Sequence, residues 1–292
     1  MDVIEELKVF YDRFDGEKGS VGKSFFGKDI LYFVVRKTAF PRIVVQYTIH
    51  AREYICTFLA LKQIEDFLRL GAKGTVYFIP LMNPDGVEIA LSKEPLYKAN
   101  GRGVDLNVNF DAHWGEGKTN THVCGSENYI GKHPFSEPES RALRDFTLKV
   151  KPDLTVSYHS KGEEIYWEFF QDGKRRRRDF SFAKVVSDVT GYEIKSTPDS
   201  VGGYKDWCVE ELKIPALTLE VGSDQLSHPI GKERLSSVYD KNAKVIFALI
   251  EKFGEINGTK IYEGGDKRGV NCRKKGRGAN RCGNRLRRGN RR

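Results

Sequence analysis

Two residues with metal-binding side chains, His50 and Glu53, follow directly on the apolar, β-branched run of residues 42–49. That run predicts a buried strand, and the helical spacing of apolar residues over 54–70 predicts a helix after it. A three-residue offset at such a junction can aim an imidazole and a carboxylate at one point. Zinc accepts nitrogen and oxygen ligands of this kind, and its catalytic sites use three protein ligands plus water. An HxxE pair alone is weak evidence, because it also arises by chance.

The third ligand must come from a distant part of the chain. His159 is the best candidate because it ends the predicted strand DLTVSYH, whereas the other histidines lie in polar loops: His113, His122, His133 and His228. Glu220 ends another predicted strand, PALTLEV, among apolar side chains. A partly buried carboxyl group has a raised pKa, which suits a general base that takes a proton from water on zinc.

Five sequence features occur in a fixed order over residues 42–222: HARE, NPDG, GRGVDLNVNF, the strand-terminal His159 and the Glu220 of LTLEVG. In this order the sequence resembles the carboxypeptidase A family of zinc peptidases. The resemblance implies one zinc ion per chain, held by His50, Glu53 and His159, with Glu220 as general base and proton shuttle. HExxH, the motif of another large class of zinc peptidases, is absent.

The same resemblance implies roles for residues around the metal. Arg102 matches the arginine that stabilises the oxyanion, and Asp105 matches the carboxylate that orients the first zinc histidine. Arg52 and Asn107 match substrate-binding positions. The family tyrosine that closes over the substrate has no match at its usual place, so Tyr204 is the candidate substitute.

One departure from the family pattern concerns specificity. Val108 stands where the family has an arginine that clamps the C-terminal carboxylate of the substrate, and an aliphatic side chain cannot form that bidentate pair. The runs YKANGRGVDLN and GGYKDW resemble most the bacterial branch that cuts the γ-D-glutamyl–diaminopimelate bond of cell-wall (murein) peptides. The implied substrate is a murein tri- or tetrapeptide, and the basic run 174–178 is a candidate contact for its several carboxylates.

Three other functions stay open. An ordinary metallocarboxypeptidase would remove C-terminal amino acids from peptides. A zinc deacylase of the desuccinylase or aspartoacylase type has a similar zinc core, but that group typically shows HGNE and lacks NPDG. A catalytically inactive binding module is the third alternative, although the three ligands and the base are all present here.

The elements that must position these residues are strands alternating with helices. This pattern predicts an α/β fold, a single domain over residues 1–260 with a mixed, mostly parallel central sheet covered by helices on both faces. Functional groups in such sheets gather beyond strand ends, where the candidate residues fall. The polar stretch 83–134 is long for a compact domain, and loops of that length are usually functional.

Composition sets the broad class. The 292 residues suffice for one large domain, and the hydrophobic content of 39% is ordinary for a globular protein. No run approaches the roughly 18 apolar residues of a membrane helix. The N-terminus has the pattern of an amphipathic helix rather than a signal peptide, so a cytoplasmic location is expected. Five widely spaced cysteines without CxxC argue against a disulfide framework, and Cys56 and Cys208 are expected to be reduced packing residues.

The net charge of +9 comes from the end of the chain. Residues 267–292 hold twelve Lys and Arg and no acid, and the rest of the chain has 37 basic and 40 acidic residues. Residues 261–292, rich in Gly, Arg and Asn, are predicted to form a disordered tail because they cannot bury apolar area. Such a tail could bind nucleic acid or another polyanion non-specifically, although it has no aromatic stacking group after Tyr262.

Overall fold

Strands and helices alternate along most of the chain in a computed structural model, which describes residues 2–197 and 199–263. The strands are β1 (Lys18–Lys23), β2 (Asp29–Arg36), β3 (Arg42–Tyr47), β4 (Thr75–Ile79), β5 (Leu154–His159), β6 (Glu164–Tyr166), β7 (Glu193–Lys195) and β8 (Ala216–Glu220). The helices are α1 (Val3–Arg13), α2 (Ile55–Leu70), α3 (Pro84–Ser92), α4 (Pro138–Val150), α5 (Gly173–Thr190), α6 (Tyr204–Glu210), α7 (Leu235–Asn242) and α8 (Val245–Glu263).

The eight strands form one mixed sheet in the order β1-β2-β4-β3-β5-β8-β6-β7. Strands β4, β3, β5 and β8 are parallel to one another and make up its centre. The pairs β1–β2, β2–β4 and β6–β8 are antiparallel, and β6–β7 is parallel. The prediction of a single α/β domain with a mixed, mostly parallel sheet is confirmed.

Two apolar cores lie on opposite faces of the sheet. Along β3, Ile43 and Val45 face the core formed with α1, α2, α5, α7 and α8, whereas Val44 faces the core formed with α4 and α6. This alternation follows from the two-residue period of a strand. A central strand covered on both faces is apolar throughout, and each fully buried side chain contributes about 1.5–3 kcal/mol.

Some local features go beyond the sequence patterns. The basic run 174–178 lies in the first turns of α5, consistent with the good helix propensity of Lys and Arg. In the segment EEIYWEFF, Glu164–Tyr166 forms strand β6, which pairs with β7 and β8. The polar stretch 83–134 contains the helix α3.

The C-terminal helix passes the predicted domain boundary. Helix α8 continues through Glu263, so a boundary after residue 260 falls inside it. Most of the predicted tail, residues 264–292, lies outside the described residues, and its disorder stays a prediction. Among the residues described, no helix combines the length and apolar character needed to cross a bilayer, and the cytoplasmic location also stays a prediction. Cys56 and Cys208 are buried free thiols.

Candidate active site

A sharp turn after β3 delivers the first two candidate ligands. Thr48 has a φ of 54°, a left-handed conformation that a β-branched residue rarely adopts. Its hydroxyl shares a 2.8 Å hydrogen bond with the hydroxyl of Thr57 on α2. Ala51–Glu53 then form one 3-10 turn that leads into α2, with His50 at its N-cap. Backbone strain of this kind persists where the surroundings enforce it and concentrates at functional sites.

Donor atoms of His50, Glu53 and His159 converge at this turn. The Nδ1 atom of His50 lies 2.9 Å from Glu53 Oε1 and 3.1 Å from the Nδ1 atom of His159. The latter lies 3.1 Å from Glu53 Oε2. All three residues are buried, and their candidate ligand atoms lie within 4.8 Å of one another. Two imidazole nitrogens that face each other and one carboxylate suit a shared cation, and this donor set is one that zinc accepts.

The buried carboxylate of Asp105 contacts His50, and the ammonium of Lys98 contacts Asp105 in turn. The other ring nitrogen of His50, Nε2, lies 3.2 Å from Asp105 Oδ1, the partner that a metal-binding histidine normally has. Lys98 Nζ lies 2.7 Å from Asp105 Oδ2 and donates to Asn128 Oδ1 at 2.8 Å. Lys98 was not among the predicted site residues.

Neighbouring charges favour the ionised forms of Asp105, Lys98 and His50. Burial opposes ionisation of Asp105, but Lys98 and His50 outweigh it and hold the pKa of the carboxyl well below its usual range. Burial also disfavours the charged form of Lys98, yet Asp105 raises the pKa of that ammonium. In the same way, burial lowers the pKa of His50 while the Glu53 carboxylate raises it, and the net value is about 9.

Glu220 stands beside His159 in the sheet. The two residues end neighbouring parallel strands, and their Cα atoms are partners in register, so both side chains project from the same face. Glu164 of β6 is the partner of Glu220 on the other side. Burial raises the pKa of the Glu220 carboxyl well above its usual range, and the Glu53 carboxylate raises it further.

These groups line a cavity of about 240 Å³, hereafter the metal-side cavity. Its lining residues are His50, Lys98, Asp105, Asn107, Val108, Thr119, Asn128, His159, Tyr166, Thr197, Ser200, Gly203, Lys205, Asp206, Thr218 and Glu220. Of the predicted site residues, the structure thus brings together His50, His159, Asp105, Asn107 and Glu220, with Glu53 in contact with both histidines. Within residues 2–197 and 199–263, the lysines of this lining are Lys98 and Lys205, and no arginine belongs to it.

Two predicted arginines do not line the metal-side cavity. The guanidinium of Arg102 lies over the ring of Phe25, 4.4 Å from its centroid, and Arg102 Nε is 3.5 Å from Glu137 Oε2. Arg52 instead pairs with Glu127 at 3.0 Å. The arginines of the basic run 174–178 are also absent from the lining.

Tyr204 does not reach this cavity either. Its side chain is fully buried in the core under α4 and α6, and its hydroxyl lies 2.8 Å from the hydroxyl of Thr147. Its ring packs against Phe110 and Trp207. Among the described residues that line the cavity, the tyrosine is Tyr166 on β6. The local sequence favoured Tyr204 only because it lies next to the Gly202–Gly203 pair.

The NPDG motif positions the site without contacting the metal-side cavity. Asn83 Oδ1 accepts from the backbone N–H of Gly86 and so caps α3. Its Nδ2 atom donates to the carbonyl of Ile49 at 3.1 Å and to that of Ala99 at 2.9 Å. Asn83 therefore ties the backbone just before His50 to the backbone just after Lys98. This link explains why the two segments lie side by side.

Comparison with known proteins identifies the class. The fold resembles that of carboxypeptidase A from Helicoverpa armigera, with a TM-score of 0.73 and 19% identity, covering 85% of this chain and 71% of that one. Residues 16–234 match the zinc carboxypeptidase family, peptidase M14. The chain belongs to this family, so it is a zinc metallopeptidase whose cofactor is one zinc ion. Family membership favours the peptidase over the deacylase and the inactive binding module.

Two other similar proteins have names that state what they act on. The γ-D-glutamyl-L-diamino acid endopeptidase 1 of Lysinibacillus sphaericus is 26% identical over 284 residues, covering 85% of this chain and 70% of the relative. The murein-tripeptide amidase of Escherichia coli O157 has a similar fold, with a TM-score of 0.58 and 20% identity, covering 84% of this chain and 94% of the amidase.

Proposed function

We propose that this zinc peptidase hydrolyses the γ-D-glutamyl–diaminopimelate bond of murein tri- or tetrapeptides. The observation that carries the proposal is the lining of the metal-side cavity, whose described residues include Val108 and two lysines but no arginine. A valine cannot clamp the free C-terminal carboxylate of an ordinary peptide. The relative named as a γ-D-glutamyl-L-diamino acid endopeptidase supports the same substrate class.

In the proposed site, His50, Glu53 and His159 hold the zinc ion. When bound, zinc lowers the pKa of a coordinated water and polarises the scissile carbonyl. Glu220 accepts the proton of the attacking water and passes it to the nitrogen of the leaving amine. Its half-buried position beside His159 and its raised pKa suit both transfers. Asp105 fixes the orientation of the His50 ring.

Lys98 is the cation proposed to stabilise the oxyanion, the role that the resemblance assigned to Arg102. An ammonium has three N–H donors, and Asp105 and Asn128 occupy two of them. The third is available to an oxygen atom in the cavity that Lys98 lines. Arg102 is engaged by Phe25 and Glu137 instead. Asn107, which lines the cavity, is proposed to contact the substrate backbone.

A comparison of substrates tests this function. The zinc-loaded protein is given the murein tetrapeptide L-Ala-γ-D-Glu-meso-diaminopimelyl-D-Ala, in which the diaminopimelate carboxyl next to the scissile bond is held in an amide, and, separately, an ordinary L-peptide with an aromatic or basic C-terminal residue. We expect kcat/KM to be higher for the first, because Val108 leaves the C-terminal carboxylate of the second unpaired. Glu220→Gln serves as the blank for both substrates. A higher kcat/KM for the ordinary peptide would reject the murein substrate and leave a general carboxypeptidase.

Val108→Arg gives a second arm of the same experiment. An arginine at this position restores the missing partner of a C-terminal carboxylate, so the ratio of kcat/KM should shift towards ordinary peptides. An unchanged ratio in a folded, zinc-loaded variant would show that Val108 does not set the preference.

A further inference from the structure

The metal-side cavity contains a buried ion pair that the proposed chemistry does not use. Lys205 and Asp206, in the first turn of α6, both line the cavity, and they are 7% and 4% exposed. The ammonium of Lys205 donates to the carboxylate of Asp206 and to the carbonyl of Glu168, the latter at 2.9 Å. Removing two charges from water is costly, and such pairs are weak evidence of a role in stability. A function in ligand recognition is the alternative.

Lys205 and Asp206 can each form at least one more hydrogen bond. An ammonium has three N–H donors, and the bonds to Asp206 and Glu168 occupy two of those of Lys205. The Asp206 carboxylate accepts from Lys205 through Oδ1 and from the backbone N–H of Gly203 through Oδ2, at 3.0 Å. A carboxylate offers about four lone-pair sites, so about two remain. A ligand carboxylate therefore fits Lys205, and a ligand ammonium fits Asp206.

Charge balance favours a ligand that carries both groups. Lys205 and Asp206 neutralise each other, so a lone carboxylate or a lone ammonium would leave one buried charge uncompensated, which is costly. A zwitterion adds no net charge to the cavity. The lining residues near α6 in sequence, Thr197 and Ser200, bear neutral hydroxyls, which can accept or donate hydrogen bonds to either group.

We infer that Lys205 and Asp206 bind a side chain that ends in an α-amino acid group, an ammonium and a carboxylate on one carbon atom. The inference rests on the proposed function and deepens it, because the side chain of diaminopimelate ends in this group. That side chain has about eight non-hydrogen atoms, and the cavity of about 240 Å³ has the volume of about eight liquid waters at about 30 Å³ each. Lysine lacks the carboxylate of this group, and 2-aminopimelate lacks its ammonium.

The test uses three peptides that differ only at the third residue: L-Ala-γ-D-Glu followed by meso-diaminopimelate, L-lysine or L-2-aminopimelate. The zinc-loaded wild-type protein should prefer the first, with kcat/KM about 10²-fold above the other two. Lys205→Met should lose the preference over the lysine peptide, since the partner of the carboxylate is gone. Asp206→Asn should lose the preference over the 2-aminopimelate peptide. Lys149→Met, at an exposed position of α4, is the matched control and should leave all three values unchanged.

A purely structural role of Lys205 and Asp206 predicts a different pattern of kcat/KM values. Loss of the ion pair would then lower kcat/KM for all three peptides by the same factor, and that result overturns the inference, as does a wild-type protein that treats the three alike. Calorimetry uses meso-diaminopimelate and L-lysine, each acetylated on the L-centre amino group, so that only the first has a free α-amino acid group, at the end of its side chain. This readout needs neither cleavage nor a variant that folds. Equal affinity of the wild-type protein for the two amino acids overturns the inference. Failure to cleave any γ-D-glutamyl peptide, with selective binding of meso-diaminopimelate retained, would reject the proposed reaction but keep the inferred subsite.

Discussion

Lys98 lines the metal-side cavity, and Arg102 does not. Both residues belong to one short segment, KANGRGVD, in which the backbone N–H of Gly103 donates to the carbonyl of Asn100 at 3.0 Å and closes a turn. Arg102 lies inside this turn, and Lys98 precedes it. Lys98 turns to Asp105 and the metal-side cavity, whereas Arg102 turns to Phe25 and Glu137. Local spacing could not show which of two nearby cations faces the metal.

Substitution of the two cations separates their roles. Lys98→Met should reduce kcat by about 10²–10³-fold, the usual effect of removing one oxyanion donor. Arg102→Met should change kcat by less than about 3-fold, and Lys98→Arg should recover part of the lost activity because it keeps the charge. Bound zinc is measured in each variant, since Lys98 also pairs with the carboxylate that supports His50. A larger loss in Arg102→Met than in Lys98→Met would return the oxyanion role to Arg102.

The metal ligands can be tested without a substrate. His159→Ala removes one of three converging donors, so the zinc content after dialysis should fall from about one per chain to well below half, because catalytic zinc sites use three protein ligands. His113→Ala is the matched control: His113 pairs with Glu116 and Glu210 outside the ligand group, and zinc should stay bound. Stoichiometric zinc in His159→Ala, measured by atomic absorption, would contradict the assignment.

At the scale of elements, long apolar runs made the fold predictable. Strands β3, β5 and β8 are buried runs in which most side chains are apolar or β-branched, and the candidate residues His50, His159 and Glu220 follow or end them. Their side-by-side position depends on the parallel register of these strands. That register arises from contacts between segments that are far apart in the sequence. The predicted parallel sheet implied such contacts, but the spacing of residues along the chain does not determine which residues pair.

Short or half-exposed elements escaped prediction for physical reasons. Strand β1, KGSVGK, has little apolar surface and lies at the sheet edge. Helix α6 spans only seven residues, too few for a clear 3.6-residue period, yet it supplies Lys205 and Asp206 to the cavity. Tyr204 was misjudged for the same reason: without the helix, its burial against Phe110 could not be foreseen.

Helix α6 and strand β6 each carry a tyrosine whose hydroxyl can be removed. Tyr204→Phe deletes the bond to Thr147 and should lower the free energy of unfolding by about 1 kcal/mol, with kcat/KM unchanged. Tyr166→Phe, the comparison variant, alters the cavity lining and should change kcat/KM more than stability. Chemical denaturation and steady-state kinetics measure both. A large activity loss in a stable Tyr204→Phe protein would mean that Tyr204 moves to contact the substrate.

At the scale of the whole molecule, charge is segregated along the chain. Twelve Lys and Arg with no acid fall in residues 267–292, while the rest of the chain has a slight acidic excess. Among the described side chains, those of the apolar cores extend along the chain as far as Ile256. The described part of the chain thus has its own cores and its own candidate site. The basic segment lies outside the described residues, and a polyanion stays its predicted partner.

Truncation after Glu263, the last described residue, tests this division. The removed segment contains few apolar residues, Val270 and Leu286 among them, so the melting temperature, zinc content and kcat/KM should match those of the full chain. Binding to single-stranded nucleic acid should be lost, because counterion release by the tail cations supplies it. Fluorescence anisotropy at about 50 and 200 mM salt should show that full-chain binding weakens steeply as salt rises. A marked fall in melting temperature would show that residues 264–292 belong to the folded domain, and salt-sensitive binding by the truncated chain would place the polyanion site elsewhere.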